Sequence, residues 1–452
     1  MKTYNVIIIG GGPAGIITGV TAKKRNPKKS ILLIKKEEKG LVPCGIPYVF
    51  YRLDSIDKNV MGPKPFVDLG GDVITDTVIK VDIKNKKVIV ESRAEYQYNK
   101  LVFATGSVPV IPKFIKGYDL DGVEYIKKSY NYIKTLINKT QQVNNIVIVG
   151  GGFIGVEVAE QLALHENKTV SLVEAEKECF SKAFSEDLSK IATDKLRETK
   201  VNVYTLTLVK EVKGENGKVT GVLLDNGKII NAEMVIMAIG YKPETQIAEE
   251  AGLKLNNVGA IIVDNFERTN EKDICAVGDC SQTIGFITGR IDNVMLASTA
   301  TAEARVLGYN LFGIKIVKSF VGTIGIFSTE INGLTLAAAG LNENNAAYAN
   351  VEYISAVFTD VDRHPGAFKD TSFLSVRLYA SPCDGSILGG EVWGGKSSAE
   401  IINIIGMAIQ KNVTVFELVS YQVGTHPLLT SAPTKIVLIK AAEGIINKIH
   451  KK

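Results

Sequence analysis

The feature that most restricts this chain is a pattern that occurs twice. Tyr4-Asn-Val-Ile-Ile-Ile9 runs into Gly10-Gly-Gly-Pro-Ala-Gly15 and then into Ile16 to Arg25, while Ile146-Val-Ile-Val149 runs into Gly150-Gly-Gly-Phe-Ile-Gly155 and then into Val156 to Leu164. A buried strand, a glycine turn and a helix, in that order, form the dinucleotide-binding fingerprint. The first glycine of each copy permits a tight turn, the second lets backbone approach a pyrophosphate, and the last lets helix pack on strand, with the phosphates at the helix N-terminus. The second copy is complete. Its next strand, Thr169 to Val173, ends in Glu174, 24 positions after Gly150. A carboxylate there accepts hydrogen bonds from both ribose hydroxyls and repels a 2′-phosphate, which favours NADH over NADPH. In the first copy the strand Ser30 to Ile34 is followed by Lys35 and Lys36, and the first carboxylates are Glu37 and Glu38.

Two such units do not account for a chain of 452 residues, which at ~150 residues per domain predicts about three domains. With 45% hydrophobic and 22% charged residues the composition is globular, and a net charge of +5 argues against a nucleic-acid protein while suiting anionic small molecules. The cysteines at 44, 179, 275, 280 and 383 form no CxxC pair. They are no disulfide framework, and a reducing cytoplasm is the expected home. No signal peptide precedes the first apolar run, and no stretch reaches the roughly 18 apolar residues of a membrane span.

Along the chain, Val67 to Val90 alternates like strands around turns, and Leu101-Val-Phe-Ala-Thr-Gly-Ser107 is a strand entering a tight turn. Val108 to Pro112 is expected to be a crossing linker, followed by a polar helix around Ser129 to Asn145. Asn216-Gly and Asn226-Gly mark hairpins, so Val201 to Ile239 should include an antiparallel layer. Met234 to Gly240 and Ile274 to Asp279 are further strands ending in glycine turns, and Asn293 to Gly308 is a helix with a face of small residues. Beyond about Ser319 the glycine turns stop and mixed strands and helices follow, which predicts a third domain.

Cys44 lies in Gly40-Leu-Val-Pro-Cys-Gly-Ile-Pro-Tyr-Val-Phe-Tyr51. Pro47 suits the first position of a helix. Cys44 then precedes a helix N-terminus, where unsatisfied N–H groups favour the reactive thiolate. The alternative is a buried apolar cysteine before a proline-started helix.

Cys44, the two nucleotide folds and the Gly278-Asp279 turn together resemble the two-nucleotide flavoprotein disulfide reductases, in the single-cysteine branch of NADH oxidases, NADH peroxidases and coenzyme A-disulfide reductases. The resemblance covers essentially the whole chain. It implies an α/β fold of two Rossmann-like nucleotide-binding domains, for FAD and for NAD, plus an α+β C-terminal dimerisation domain. The expected boundaries are 1–112 with 255–318 for FAD, 113–254 for NAD and 319–452 for the interface domain of a homodimer. By the same resemblance Gly10, Gly12, Pro13, Ala14 and Gly15 meet the FAD pyrophosphate, and Val78 meets the adenine. Ala104, Thr105 and Gly106 turn beside the cofactor, Asp279 holds a ribityl hydroxyl, and Ala297 begins a helix near the flavin ring. Lys35 stands where the family has a ribose-binding acid. Gly150, Gly152, Phe153, Ile154, Gly155 and Glu174 hold NADH, with Gly240 as a second glycine turn and Phe153 as an aromatic gate.

No second cysteine follows Cys44 closely, so an internal disulfide there is excluded. The first glycine loop lacks the histidine that oxidases and peroxidases of the family tend to carry, and the tail lacks the tyrosine-and-proline signature of coenzyme A-disulfide reductases. His426-Pro427 instead resembles the histidine-proline end of the two-cysteine reductases. It implies that His426 from the second subunit protonates a departing thiolate. The foremost expectation is an enzyme passing electrons from NADH through FAD to Cys44 and on to a small disulfide or persulfide, coenzyme A disulfide being favoured. Lys23, Lys24, Arg25, Lys28 and Lys29 are either a coenzyme A phosphate site or a solvated face. The alternatives are an NADH oxidase reducing O2 to H2O2 or water and, from another class, an NADH-binding redox sensor. No metal site is expected.

Overall fold

The computed structural model describes residues 2–292, 294–314 and 319–451. The first apolar run forms the strand Lys2–Ile9, flanked in parallel by Ile31–Lys35 and Glu95–Phe103. Val6, Ile7 and Ile8 are fully buried, because both faces of this sheet are covered, and so the run is continuously apolar rather than alternating. The sheet has the spatial order Asp72–Thr75, Ile31–Lys35, Lys2–Ile9, Glu95–Phe103, Lys87–Val90, Val78–Asp82, with Ile274–Ala276 pairing in parallel on Glu95–Phe103. The helices Pro13–Arg25 and Ala297–Asn310 lie against each other on one face. Gly308 allows their approach, since a Cβ there would lie 2.6 Å from Thr21 Cβ.

The expected linker is itself a strand. Ser107–Pro109 pairs antiparallel with Tyr241–Pro243, so the chain leaves the first unit and returns to it through one two-stranded ribbon. The helix Gln246–Glu250 follows the return, and Ala248 and Leu253 enter the core of the first sheet beside Val78, Val81, Val88 and Val90. Packing therefore moves the expected boundary at 254 back to the ribbon: these apolar side chains find their cover on the first sheet. The expected boundary between 318 and 319 adjoins residues 315–318, which lie outside the described residues.

The second unit repeats the first in smaller form. Its all-parallel sheet has the order Val123–Tyr125, Met234–Met237, Asn145–Val149, Thr169–Val173, Val201–Tyr204. The antiparallel layer expected around the Asn-Gly turns is present as Val209–Glu215, Lys218–Leu224 and Ile229–Asn231. Asn216 at φ 52 and Gly217 at φ 78 form the left-handed pair that a tight hairpin needs.

The third unit is an antiparallel sheet of order Phe327–Ile331, Leu334–Gly340, Ile387–Gly394, Phe373–Ala380, Ile354–Val361. Alternation along its strands serves two cores. Ala337 and Ala339 face the helices Ser398–Gln410 and Val437–Ile449, whereas Leu336 and Ala338 join a core shared with the second unit and the Cys44 segment.

A buried charge cluster ties the third sheet to the helix Glu186–Arg197 of the second unit. Glu391 is 0% exposed and accepts from Arg377 Nη1 at 3.0 Å, Ser185 N–H at 2.6 Å and Ser185 Oγ at 2.7 Å, while Arg377 also pairs with Asp187. Removing one partner of a buried pair leaves an uncompensated charge. Arg377→Met is expected to destabilise the fold by ~3–5 kcal/mol, and Glu391→Gln in the same chain should recover a large part; thermal melts of both variants check this.

Candidate redox site

The glycine turns are built by close approach. A Cβ at Gly10, where φ is +121°, would lie 2.0 Å from Ala104 O, and one at Gly15 would lie 2.0 Å from Gly10 O. The second copy repeats this, with Gly150 at φ +110° against Ala238 O at 2.5 Å and Gly155 against Gly150 O at 1.9 Å. Only glycine fits such contacts. Gly12 and Gly152 are different: each caps its helix, Pro13–Arg25 or Phe153–Ala163, and a Cβ there would meet nothing within 4 Å among the described residues. Open backbone at a helix N-terminus, where unpaired N–H groups meet the positive dipole end, fits the diphosphate of a dinucleotide. Pro13 occupies the first helical turn, and Ala14 is buried and lies 2.9 Å from where a Gly278 Cβ would stand. Gly278, Asp279, Ala104, Thr105 and Gly106 thus gather with Gly10 beyond the C-terminal ends of the adjacent parallel strands Lys2–Ile9, Glu95–Phe103 and Ile274–Ala276. Gly106 at φ +76° and Gly240 at φ +113° also leave open space. Thr105 Oγ1 donates to Glu244 O at 2.5 Å, and Gly240 O accepts from Val110 N–H at 3.0 Å.

Lys35 and Glu174 are structural equivalents with opposite charge. Lys35 ends the strand Ile31–Lys35 and Glu174 follows the strand Thr169–Val173, and each lies over the middle glycine: a Cβ at Gly11 would be 2.6 Å from Lys35 Cβ, and one at Gly151 would be 2.7 Å from Glu174 Oε2. The Glu174 carboxylate accepts from Gly151 N–H and from Glu176 N–H, the latter at 2.7 Å. Lys35 turns its ammonium onto Glu37 O at 2.9 Å and Glu38 O at 2.5 Å, and partial burial lowers its pKa. Asp76 N–H donates to Lys35 O at 2.9 Å, which brings Val78, at the start of its strand, to this end of the sheet. Phe153 opens its helix inside a group of rings, 5.0 Å from Phe180, 5.1 Å from Phe327 and 6.1 Å from Phe184, with Ile154 beside it in the same core.

Asp279 has partners that the sequence does not disclose. Ser107 Oγ and Lys128 Nζ both donate to its Oδ2 at 2.7 Å. Lys128 comes from the second unit and Asp279 from the first, so the pair spans the two. Ala297 is the first residue of its helix, as expected, while Asn293 lies outside the described residues.

Cys44 is exposed, which removes the buried alternative. The helix expected at Pro47 is a 3-10 turn, Pro47–Phe50, and Cys44 sits within a preceding 3-10 turn, Pro43–Gly45, rather than at an α-helix N-cap. Two prolines in five residues remove two donors and confine the chain to short turns. Gly40, four residues earlier, lies against the first glycine loop, since a Cβ there would be 3.9 Å from Gly11 O. Cys179, Cys275 and Cys280 are buried, and burial pushes the thiols of Cys179 and Cys275 up to about 12, so both are protonated at neutral pH. Glu157 accepts from Thr329 Oγ1 at 2.8 Å, and burial raises the phenol pKa of Tyr48, with Glu157 adding to the effect. Neither Glu157 nor Lys128 carries a sequence signal, because each matters through a partner on another unit.

His426 lies on an exposed loop of the third unit, with its Nδ1 accepting from Leu428 N–H at 3.2 Å. Among the described residues no hydrogen bond or ring contact joins it to Cys44 within one chain. In the basic cluster Lys23 is 7% exposed and donates to Pro27 O at 2.9 Å and Lys29 O at 2.8 Å. It caps its own loop and drops out as a phosphate ligand; Lys24 and Arg25 are exposed.

Residues 4–304 match the pyridine nucleotide-disulphide oxidoreductase family, and residues 326–437 match the dimerisation domain of the same family. The chain belongs to that family, whose cofactors are FAD and a nicotinamide nucleotide. It is 30% identical over 462 aligned residues to an NADH oxidase of Methanocaldococcus jannaschii, covering 99% of each chain. It is 31% identical over 351 residues to an NAD(P)H coenzyme A polysulfide/persulfide reductase of Pyrococcus horikoshii, covering 75% of this chain and 76% of that one. The solved NAD-dependent persulfide reductase of A. fulgidus superimposes with a TM-score of 0.91 at 28% identity, over 99% of this chain and 84% of that one. Among the described residues no helix is long and apolar enough to cross a membrane.

Burial lifts the Glu157 carboxyl from 4.5 to about 7. The folded chain then binds more protons than the unfolded chain between those values, so stability falls as pH rises through that window, and the loss is complete above it. Glu157→Gln keeps an acceptor for Thr329. It is expected to flatten this dependence and to be the more stable protein at pH 8 by on the order of 1 kcal/mol; melts at pH 5 and pH 8 check it.

Proposed function

We propose that this protein is an FAD-containing, NADH-dependent reductase of a small disulfide or persulfide, with Cys44 as its redox thiol and coenzyme A disulfide as the favoured substrate. The observation that carries this reading is the setting of Cys44. It is the exposed cysteine of the nucleotide-binding units, on a turn that begins against the first glycine loop. The residues present fit the cofactor: Gly12 and the helix after it would hold the FAD diphosphate, Asp279 a ribityl hydroxyl, and Gly152 with Glu174 the NADH. FAD, when bound, supplies the two-electron relay between nicotinamide and sulfur.

The Cys44 thiolate attacks one sulfur of the substrate. The sulfur–sulfur bond breaks, the first thiolate leaves, and a mixed disulfide remains on Cys44. We assign proton delivery to His426 of the partner subunit: its Nδ1 is held by Leu428 N–H, which leaves Nε2 for the departing thiolate. Two electrons from NADH then reduce the mixed disulfide, release the second thiol and restore Cys44. One NADH and one proton are used for two thiols formed. The matched dimerisation domain and the P. horikoshii relative support a homodimer and a coenzyme A substrate, with Lys24 and Arg25 as candidate phosphate contacts. Five free cysteines suit a cytoplasmic setting.

The M. jannaschii relative favours a second reading, NADH oxidase. Cys44→Ser separates the two. Disulfide reduction is expected to fall at least about 100-fold in that variant, since the attacking sulfur is gone, while H2O2-forming oxidase activity persists. Wild-type disulfide turnover in Cys44→Ser would remove the reductase reading. Glu174→Ser tests the nucleotide assignment. The ratio of NADPH to NADH kcat/KM should rise about tenfold or more, because like charges set against each other cost several kcal/mol; an unchanged ratio would release Glu174 from the ribose.

A further inference from the structure

The turn that carries Cys44 is short and exposed. Gly45 N–H donates to Val42 O at 3.0 Å and Ile46 N–H to Pro43 O at 3.2 Å, and two such bonds alone hold a surface turn weakly. A residue 17 positions on adds a second grip. Asn59 Nδ2 donates to the same Val42 O at 3.0 Å, and Asn59 O accepts from Val42 N–H at 3.0 Å. Both polar groups of Val42 are therefore taken by Asn59. The side chain of Asn59 is 3% exposed although Lys58 and Val60 on either side are exposed. A buried amide costs free energy unless it is bonded, so its burial in a surface segment marks a specific contact. Gly45 completes the fit. A Cβ there would lie 2.0 Å from Asn59 Oδ1, and its φ is not left-handed, so this glycine is needed for space and not for backbone conformation.

We propose that Asn59 is a positioning residue for the redox thiol, clamping the 42–46 turn through Val42 O and Gly45. The inference rests on the reading of Cys44 as the sulfur that exchanges with substrate. Freed from the clamp, the turn relaxes and the thiol leaves its attacking position, and a displacement of ~1 Å in a reacting atom lowers a rate by up to about 100-fold.

Two variants test it in the FAD-loaded dimer. Asn59→Ala removes the donor, and kcat for disulfide reduction should fall at least about tenfold, with the KM for NADH and the turnover of NADH with ferricyanide, which needs no thiol, unchanged. Cys44 labelling by iodoacetamide, followed by peptide mass spectrometry, should become severalfold faster as the turn opens. Asn59→Asp places a carboxylate against Val42 O, where only the protonated form can donate. Its kcat relative to wild type should rise as pH falls from 8 to 5.5. The charged neighbours are already paired, Lys39 with Asp57 and Lys58 with Asp54, each at 2.8 Å, and are shared by both proteins. Because Asn59→Asp is compared with itself across pH, lost folding in Asn59→Ala would not shelter the idea. A flat ratio for Asn59→Asp, or kcat and labelling within twofold of wild type in Asn59→Ala, overturns the clamp. If Cys44 proves not to carry electrons, the labelling rates still decide whether Asn59 holds the turn.

Discussion

One continuous apolar core fixes where the thiol stands relative to the rest of the molecule. Ile46, Val49, Phe50 and Ile56 from the Cys44 segment share it with Val156, Ala159 and Leu162 of the second glycine-turn helix and with Ile331, Leu336 and Ala338 of the third sheet. Each of the larger side chains, from Val upward, contributes roughly 1.5–3 kcal/mol on burial, and together they make the segment part of all three units. Polar contacts at the edge set its orientation: Arg52 N–H donates to Gln161 Oε1 at 3.2 Å, and the His165 ring nitrogen lies 2.8 Å from Phe50 O. The side chain of Arg52 reaches Glu330 at 3.1 Å, so one residue just past the Pro47–Phe50 turn touches both neighbouring units. The core locks the apolar side of the segment, and the Asn59 bonds to Val42 hold the exposed turn that carries Cys44.

Against that fixed frame the two nucleotide units show how one geometry accepts two chemistries. A residue at the C-terminal end of the strand after the glycine-turn helix meets the middle glycine in both. In one copy it is Glu174, held by two backbone N–H groups; in the other it is Lys35, folded back onto carbonyl oxygens. The glycines are needed in either case, because the space they leave is set by strand and helix packing and not by the charge of the neighbour. Electrostatic character is therefore a separate variable from fold, and it differs between the halves.

Burial also sorts the reactive groups. Three cysteines are enclosed in apolar surroundings that disfavour a thiolate, whereas Cys44 meets solvent. Carboxyl groups follow the same rule: Glu157 keeps its proton to about 7 within the core, and Glu391, although its carboxyl pKa is likewise raised by burial, is held by Arg377 and Ser185. Low-dielectric surroundings penalise charge in each case, and the outcome depends on whether a partner is within reach.

The local chemistry of the chain was legible from residue order. Strand–glycine–helix units, the Asn216-Gly217 hairpin, the acid at Glu174 and the lone cysteine near a proline-started turn all rest on interactions between residues close in sequence, so their spacing reports them. Pro47 misled only in scale, since proline starts a 3-10 turn as readily as an α-helix and the following residues decide how far it runs. The boundary near 254, the burial of Lys23, the Asp279–Lys128 pair and the Asn59 grip on Val42 were not legible. Each is decided by which surfaces meet when the units pack, and that meeting depends on long-range burial rather than on any local pattern. Sequence alone determined the kinds of units and the reactive groups they carry; the tertiary structure decided which of those groups face solvent, which are paired and which hold others in place, because desolvation acts on neighbours in space and not on neighbours along the chain.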